Sequence, residues 1–350
     1  MLPYLLLYCL HRFNGERSLA AVYHLLSGKK SAQTLQDSKW FQLEHVFGVC
    51  KTISLLELEQ TAQELLMQKW IVSIDERSYM LTEAGRRELE QWLPSARFFA
   101  HLNGSFYHAV DTLFWYRLSL AVQTLSNLVH RYKFAPIHRH EATLAWVKKY
   151  FLSQTKPAHD LAQALYQELH ALCSSLPEEE ATIFTLRLTS FERIGWTNEQ
   201  IALFFRKDPL YIQLMFQHLL HYMMKRIERE SHLFPVLHEF VKDLVKPVSL
   251  TLSAQKTYEW LQKGKTIAEI ARIRKLKRNT IEDHIVEIAA NVREFSIEPF
   301  VAEETRRMIM KEATRLGTRQ LKKIRDAVGH HVSYFEIRLV LAKAGELRAS

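Results

Sequence analysis

The sequence predicts a mainly α protein with an N-terminal winged helix, a helical middle domain and a C-terminal helix-turn-helix domain. Three observations predict it. Gly and Pro are scarce, 10 and 9 of 350 residues, about 3% each against a usual ~7% and ~5%. Apolar residues make up 47% of the chain, enough for real cores, and most recur at helical spacing. A single hairpin signal interrupts the helical pattern. A β-sandwich, which needs many turns, and long disordered segments are both disfavoured.

The first segment, residues 1–93, opens on the apolar run Met1 to Leu10. The run lacks a basic flank and a small-residue cleavage site, so it reads as a buried first helix and not a signal peptide. Further on, Ser54 starts a helix with Leu55, Leu58, Ala62, Leu65 and Leu66 at helical spacing. Trp70 to Ile74 and Ser78 to Leu81 then flank Asp75-Glu76-Arg77, a hairpin pattern. Thr82 caps the helix that follows. Helices followed by a two-stranded wing describe a winged helix.

The second segment, residues 94–248, reads as wholly helical, with an aromatic helix over 105–129 and others around 138–152, 158–173 and 178–192. Pro177 before Glu178, Glu179 and Glu180 marks a helix start, with acids at the positive end of the dipole. Lys246-Pro247-Val248-Ser249 reads as a linker. The third segment, residues 249–350, contains several short helices. Ser253 is expected to cap one that ends at Gly264. Thr266 with Glu269, and Ser333 with Glu336, make capping boxes.

Charge points to the C-terminal end. The chain carries 47 Lys+Arg and 38 Asp+Glu, a formal +9. Residues 251–350 hold 20 and 13 of these, a net +7, which leaves 27 and 25, a net +2, for residues 1–250. A basic excess at one end is the footprint of a polyanion site.

The most informative stretch runs from Gly264 to Ile285. Ile267, Ile270 and Ala271 form the inner face of a short helix, a tight connection holds Leu276, and a second helix opens with Asn279, Thr280 and Ile281. That is a helix-turn-helix pattern. Arg272, Arg274, Lys275, Lys277 and Arg278 fall within seven positions at and before the second helix, where phosphates also meet free backbone N–H groups. Together with Lys265, Asn279, Thr280 and His284 they form the candidate DNA-binding set. The plainer alternative is a trihelical packing unit with a solvated basic loop.

Other chemistry finds little support. The 17 histidines include the close pairs His218/His221, His138/His140 and His330/His331, none with third and fourth ligands at a zinc spacing. Cys9, Cys50 and Cys173 stand apart in apolar company, as in a reducing cytoplasm. There is no phosphate loop and no Gly-x-Gly-x-x-Gly. No cofactor, metal, small-molecule ligand or membrane span is expected, and no catalytic residue is identified.

On Ser253 to Tyr258, Gly264 to Ala271, Asn279 to His284 and Val332 to Arg338, residues 249–345 resemble the helicase-associated helix-turn-helix domain at the C-terminus of some bacterial RecQ-type helicases. The whole chain resembles the YpbB family of Bacillus-type bacteria, whose gene lies beside that of a RecQ-like helicase. Tyr23 to Ser31, Phe47-Gly48, Leu65-Leu66 and Tyr79 to Gly85 are similar to the winged helix that follows the RecQ motor. Residues 176–220, with Gly195 to Ala202, look like region 4 of sigma factors.

The resemblance implies a non-enzymatic, cytoplasmic, nucleoid-associated protein that binds DNA and accompanies a RecQ-like helicase in repair, recombination or replication-fork maintenance. The alternative is a stand-alone transcription regulator, and a third possibility is a structural bridge between helicase and another repair protein. Two features depart from DNA-reading modules. The helix at the winged-helix recognition position carries Glu57, Glu59 and Glu64 and no Lys or Arg, and residues 1–93 hold 10 basic and 11 acidic side chains. Acids repel phosphates, so this face favours protein docking, although Lys29, Lys30 and Arg77 remain available to a DNA backbone. The sigma-like reader helix, Pro209 to Leu220, is apolar almost all round, which predicts burial.

Overall fold

The computed structural model describes residues 1–244, 250–292 and 294–344. The expected linker Lys246 to Ser249 lies outside the described residues. The chain forms two compact units. Residues 3–91 join residues 247–350 in one, and residues 92–246 with Met1 and Leu2 form the other.

In the first unit, α1 (Leu2–Phe13), α2 (Leu19–Ser27), α3 (Ala32–Trp40) and α4 (Leu55–Met67) precede the hairpin β1 (Ile71–Ser73) and β2 (Tyr79–Leu81), then α5 (Glu83–Trp92). The strands are antiparallel, with Ile71 opposite Leu81 and Ser73 opposite Tyr79. Ser18 bridges Ser78 at the wing's edge, and the Asp75 carboxylate closes the turn by accepting the Arg77 N–H at 2.8 Å. Leu5, Leu6, Leu7, Cys9 and Leu10 are fully buried, so the opening run is core. Each of the leucines contributes about 1.5–3 kcal/mol of transfer free energy. This is the winged helix, with α4 at the recognition position.

In the other unit, α6 (Gly104–Tyr107) and α7 (Asp111–Val129) replace the single aromatic helix expected there. They are followed by α8 (Glu141–Leu152), α9 (Ala158–Cys173), α10 (Glu178–Leu186), α11 (Asn198–Phe205), α12 (Pro209–Arg229) and α13 (Pro235–Val241). α10 ends six residues before the expected 192. Trp115 meets Phe216 edge-on at 4.8 Å and Phe184 at 6.1 Å between α7, α12 and α10. Arg117 is buried, with its guanidinium 4.2 Å over Trp146 and both oxygens of Asp243 bound at 2.6 and 2.8 Å. A fork-on-fork pair of this kind serves both terminal nitrogens of the guanidinium, while its buried Nε has no partner.

The C-terminal region of the first unit comprises α14 (Leu252–Gln262), α15 (Ile267–Arg274), α16 (Arg278–Asn291), α17 (Glu303–Leu316), α18 (Leu321–Val328) and α19 (Tyr334–Ala344). α16 packs against α14, α15, α19 and, from the winged helix, α3. Lys39 of α3 donates to the Ala290 carbonyl, and the Arg319 N–H donates to Glu16 at 2.9 Å. The first and third sequence segments thus share one body.

Candidate nucleic-acid interface

The Thr266 hydroxyl accepts the Glu269 N–H at 3.3 Å, and the Glu269 carboxylate accepts the Thr266 N–H at 2.8 Å. This reciprocal box starts α15. The Thr266 N–H, the Thr266 hydroxyl donating at 2.9 Å and Lys265 at 3.1 Å together hold the Glu269 carboxyl down at about 2. The helix stops at Lys275, whose left-handed φ of 52° is uncommon for a residue with a side chain. The next N–H, of Leu276, reaches back to the Ala271 carbonyl at 3.0 Å, and α16 begins at Arg278. Ile270, Ile281, Ile285 and Ile288 are fully buried between the helices.

This turn sorts the basic residues. Arg272, Lys275, Lys277 and Arg278 are exposed, as is Asn279, and Thr280 is half-buried. Arg278 is steadied by Glu282 at 2.8 Å. Arg274 turns inward. It donates to the Ser253 carbonyl at 2.7 Å, to the Ser253 hydroxyl at 2.9 Å and to the Thr257 hydroxyl. His284 is buried, and its Nδ1 accepts from Thr257 at 2.9 Å. Burial and the Arg274 charge lower its pKa, so the ring is neutral. These two candidate residues tie α15 and α16 to α14. Ser253, the expected cap of α14, is spent on the same network, and Thr251 caps instead, accepting the Ala254 N–H at 3.1 Å.

The body of the candidate recognition helix is enclosed. Every residue from His284 to Ala290 is buried. The exposed side chains of α16 lie in its first turn, next to the exposed loop before it, and Glu282, Asp283 and Asn291 are half-buried.

The other DNA-reading shapes differ. On α4, Glu57 accepts the Ser54 N–H at 2.8 Å and hydroxyl at 2.7 Å, closing a capping box. Glu59 and Glu64 are exposed and flank an outward stripe that includes Leu56 and Met67, 62% and 75% exposed. Val72 and Ile74 of the wing are exposed beside it in sequence. In the other unit, α11 and α12 repeat the geometry of α15 and α16. Thr197 and Gln200 form the capping box, Arg206 is left-handed at φ 53°, and the Lys207 N–H returns to Ala202 at 2.9 Å. Tyr211, Ile212, Leu214, Met215 and Phe216 of α12 are buried, as its apolar pattern predicts.

The close histidine pair on α12 is structural. The His218 Nδ1 lies 2.9 Å from the Phe98 carbonyl, and the His221 Nδ1 accepts the Asn103 N–H at 3.0 Å. Burial lowers His218 to about 4. The 3.4 Å approach of its Nε2 to Glu180 is therefore not an ion pair at neutral pH, and Arg97 serves that carboxylate at 2.9 Å. Among the described residues no three His, Cys, Asp or Glu side chains are grouped to hold a metal ion. No helix among them is long and apolar enough to cross a membrane.

Fold and site together define a helix-turn-helix protein, and the family described as a helix-turn-helix domain matches residues 253–341. Protein YpbB of Bacillus subtilis (strain 168) is 36% identical over 338 residues, covering 96% of this chain and 95% of that one. The chain belongs to the YpbB family. No solved structure matches it.

Proposed function

We propose that this chain is a non-enzymatic DNA-binding accessory of a RecQ-like helicase, acting in repair, recombination or replication-fork maintenance on the bacterial nucleoid. The observation that carries the reading is the exposed turn of Arg272, Lys275, Lys277 and Arg278 leading into Asn279 and Thr280. Four solvated cations converge beside the uncovered first turn of α16, where phosphate oxygens are favoured. Lys265 extends the set at the far end of α15, whereas Arg274 and His284 support it from inside. With the rest of α16 enclosed, contacts to base edges are few, so the grip is governed by phosphates and largely independent of sequence. This counts against the transcription-regulator alternative.

The helicase is assigned to the acidic, partly apolar face of α4. Glu59 and Glu64 are free to meet a basic partner, and Leu56 and Met67 offer apolar area, whereas Glu57 is largely occupied by its cap. The function requires no cofactor and no small-molecule ligand. It is tested by capturing a RecQ-like helicase on the immobilised full chain, with and without nuclease, alongside a salt titration of duplex binding. Capture that survives nuclease, and affinity that falls steeply with salt, support the reading. Loss of capture after nuclease refutes the protein contact, and absence of DNA binding refutes the rest.

A further inference from the structure

A cavity of about 620 Å³ opens at the N-terminal end of α15. Its apolar wall is made by Tyr258 and Leu261 of α14 and by Phe295 and Phe300 after α16. All four are half-buried. Tyr258, Leu261 and Phe295 rest on the core cluster of Ala254, Ile288 and Val292, and Phe300 is backed edge-on by Phe335 at 6.2 Å. Tyr258 meets Phe295 edge-on at 5.9 Å, while the Phe295 and Phe300 rings lie within 25° of parallel at 6.0 Å. The lip carries hydrogen-bonding groups, among them Gln262, Glu294 and Ser296.

Two further observations bear on the occupant. The lip includes Lys265, and Lys263, two residues before it, lies 4.8 Å over Trp260. Gly264 between them has φ +73° and no atom within 4 Å of where a Cβ would stand, so the surface there is open. The cavity also stands at one end of an eight-residue helix whose other end is the basic turn. At 1.5 Å per residue the two are about 12 Å apart along α15, a span of a few nucleotides.

We propose that this cavity holds an unpaired base of single-stranded DNA that continues from a duplex gripped by the basic turn. The inference rests on the DNA-binding reading above and adds a site to it. An aromatic wall accepts the π-face of any base, the lip offers donors and acceptors for its edge, and Lys263 and Lys265 meet the adjoining phosphates. An apolar peptide side chain would use the wall but would need no flanking cations. The protein is thereby suited to a junction where single strand leaves duplex.

The test uses the full chain, a blunt duplex and the same duplex carrying a thymidine overhang with one 2-aminopurine. Wild type is expected to prefer the overhang and to quench the 2-aminopurine. Phe300→Leu keeps most of the volume but loses the ring, and should weaken overhang binding about tenfold and abolish quenching, with blunt-duplex affinity unchanged. Phe300→Trp should restore both. Equal loss on both DNAs would mark Phe300 as structural and overturn the proposal. Unchanged overhang binding in Phe300→Leu, with blunt duplex still bound through Lys275 and Lys277, would overturn this site and leave the DNA-binding reading standing. Failure of wild type to bind either DNA would remove both. Loss of helicase capture in Phe300→Leu with overhang binding intact would reassign the cavity to protein contact.

Discussion

The Arg338 guanidinium of α19 donates to the Asp283 carboxylate of α16 at 2.6 Å. Its Nε donates to the Gln36 side chain of α3 at 3.2 Å, and Gln36 returns a bond to the Arg338 carbonyl at 3.2 Å. One side chain therefore fastens the winged helix to the helix that opens with the basic turn. Arg338→Ala should cost about 1 kcal/mol, discounted because the Asp283 side chain is 40% exposed. Tm should fall by roughly 2–4 °C for a body of this size. An unchanged Tm would show the pair to be a solvated contact.

The same packing makes the C-terminal region dependent on the N-terminal one. Residues 247–350 expressed alone should melt less cooperatively than the full chain, because α16 and α19 lose α3. Hydrogen exchange should be faster over 284–290 in the fragment. Equal protection there in fragment and full chain would contradict this.

The basic turn should separate by mutation into two classes. Lys275→Ala with Lys277→Ala should weaken binding to all duplex sequences alike and reduce the salt slope by about 0.9 per lost contact. Arg274→Ala should lower Tm, because Ser253 and Thr257 lose their donor, while leaving the slope of the folded protein unchanged. A slope that falls with Arg274→Ala would place that guanidinium on the phosphates.

Charge reversal on α4 needs the same distinction. Glu59→Lys with Glu64→Lys should reduce helicase capture with no change in duplex affinity. Glu57→Lys should lower Tm as well, since it opens the Ser54 capping box. Normal capture by the Glu59/Glu64 variant would exclude this face.

Stability should fall on mild acidification. Burial lowers both His45 and His218 to about 4 from an ordinary 6.5. Between those values the unfolded chain binds the protons more readily, so stability is complete above pH 6.5 and declines as pH drops towards 4. Each group contributes up to about 1.4 kcal/mol per pH unit. Glu180, whose carboxyl burial raises, takes up a proton more readily when folded and offsets part of the loss near His218. His218→Gln should flatten the profile of Tm against pH between 6.5 and 5. An identical profile would show that His218 does not titrate on unfolding.

What the sequence alone determined is local. The capping boxes of Thr266 with Glu269 and Ser333 with Glu336 both form, because each closes within four residues. The hairpin and the burial of α12 follow from patterns equally short. Tertiary structure decided the rest. Gln36 and Arg338 are 302 positions apart, and no periodicity records that contact. Five basic residues in seven look alike in sequence, but only packing shows that Arg274 faces Ser253 and Thr257 while its neighbours face water. Phe295 and Phe300 carry no signal of their own in the sequence, and only the fold places them half-buried beside α15. A helix's caps depend on its own backbone, whereas the direction each cation or ring faces depends on which distant surface excludes water from the other side.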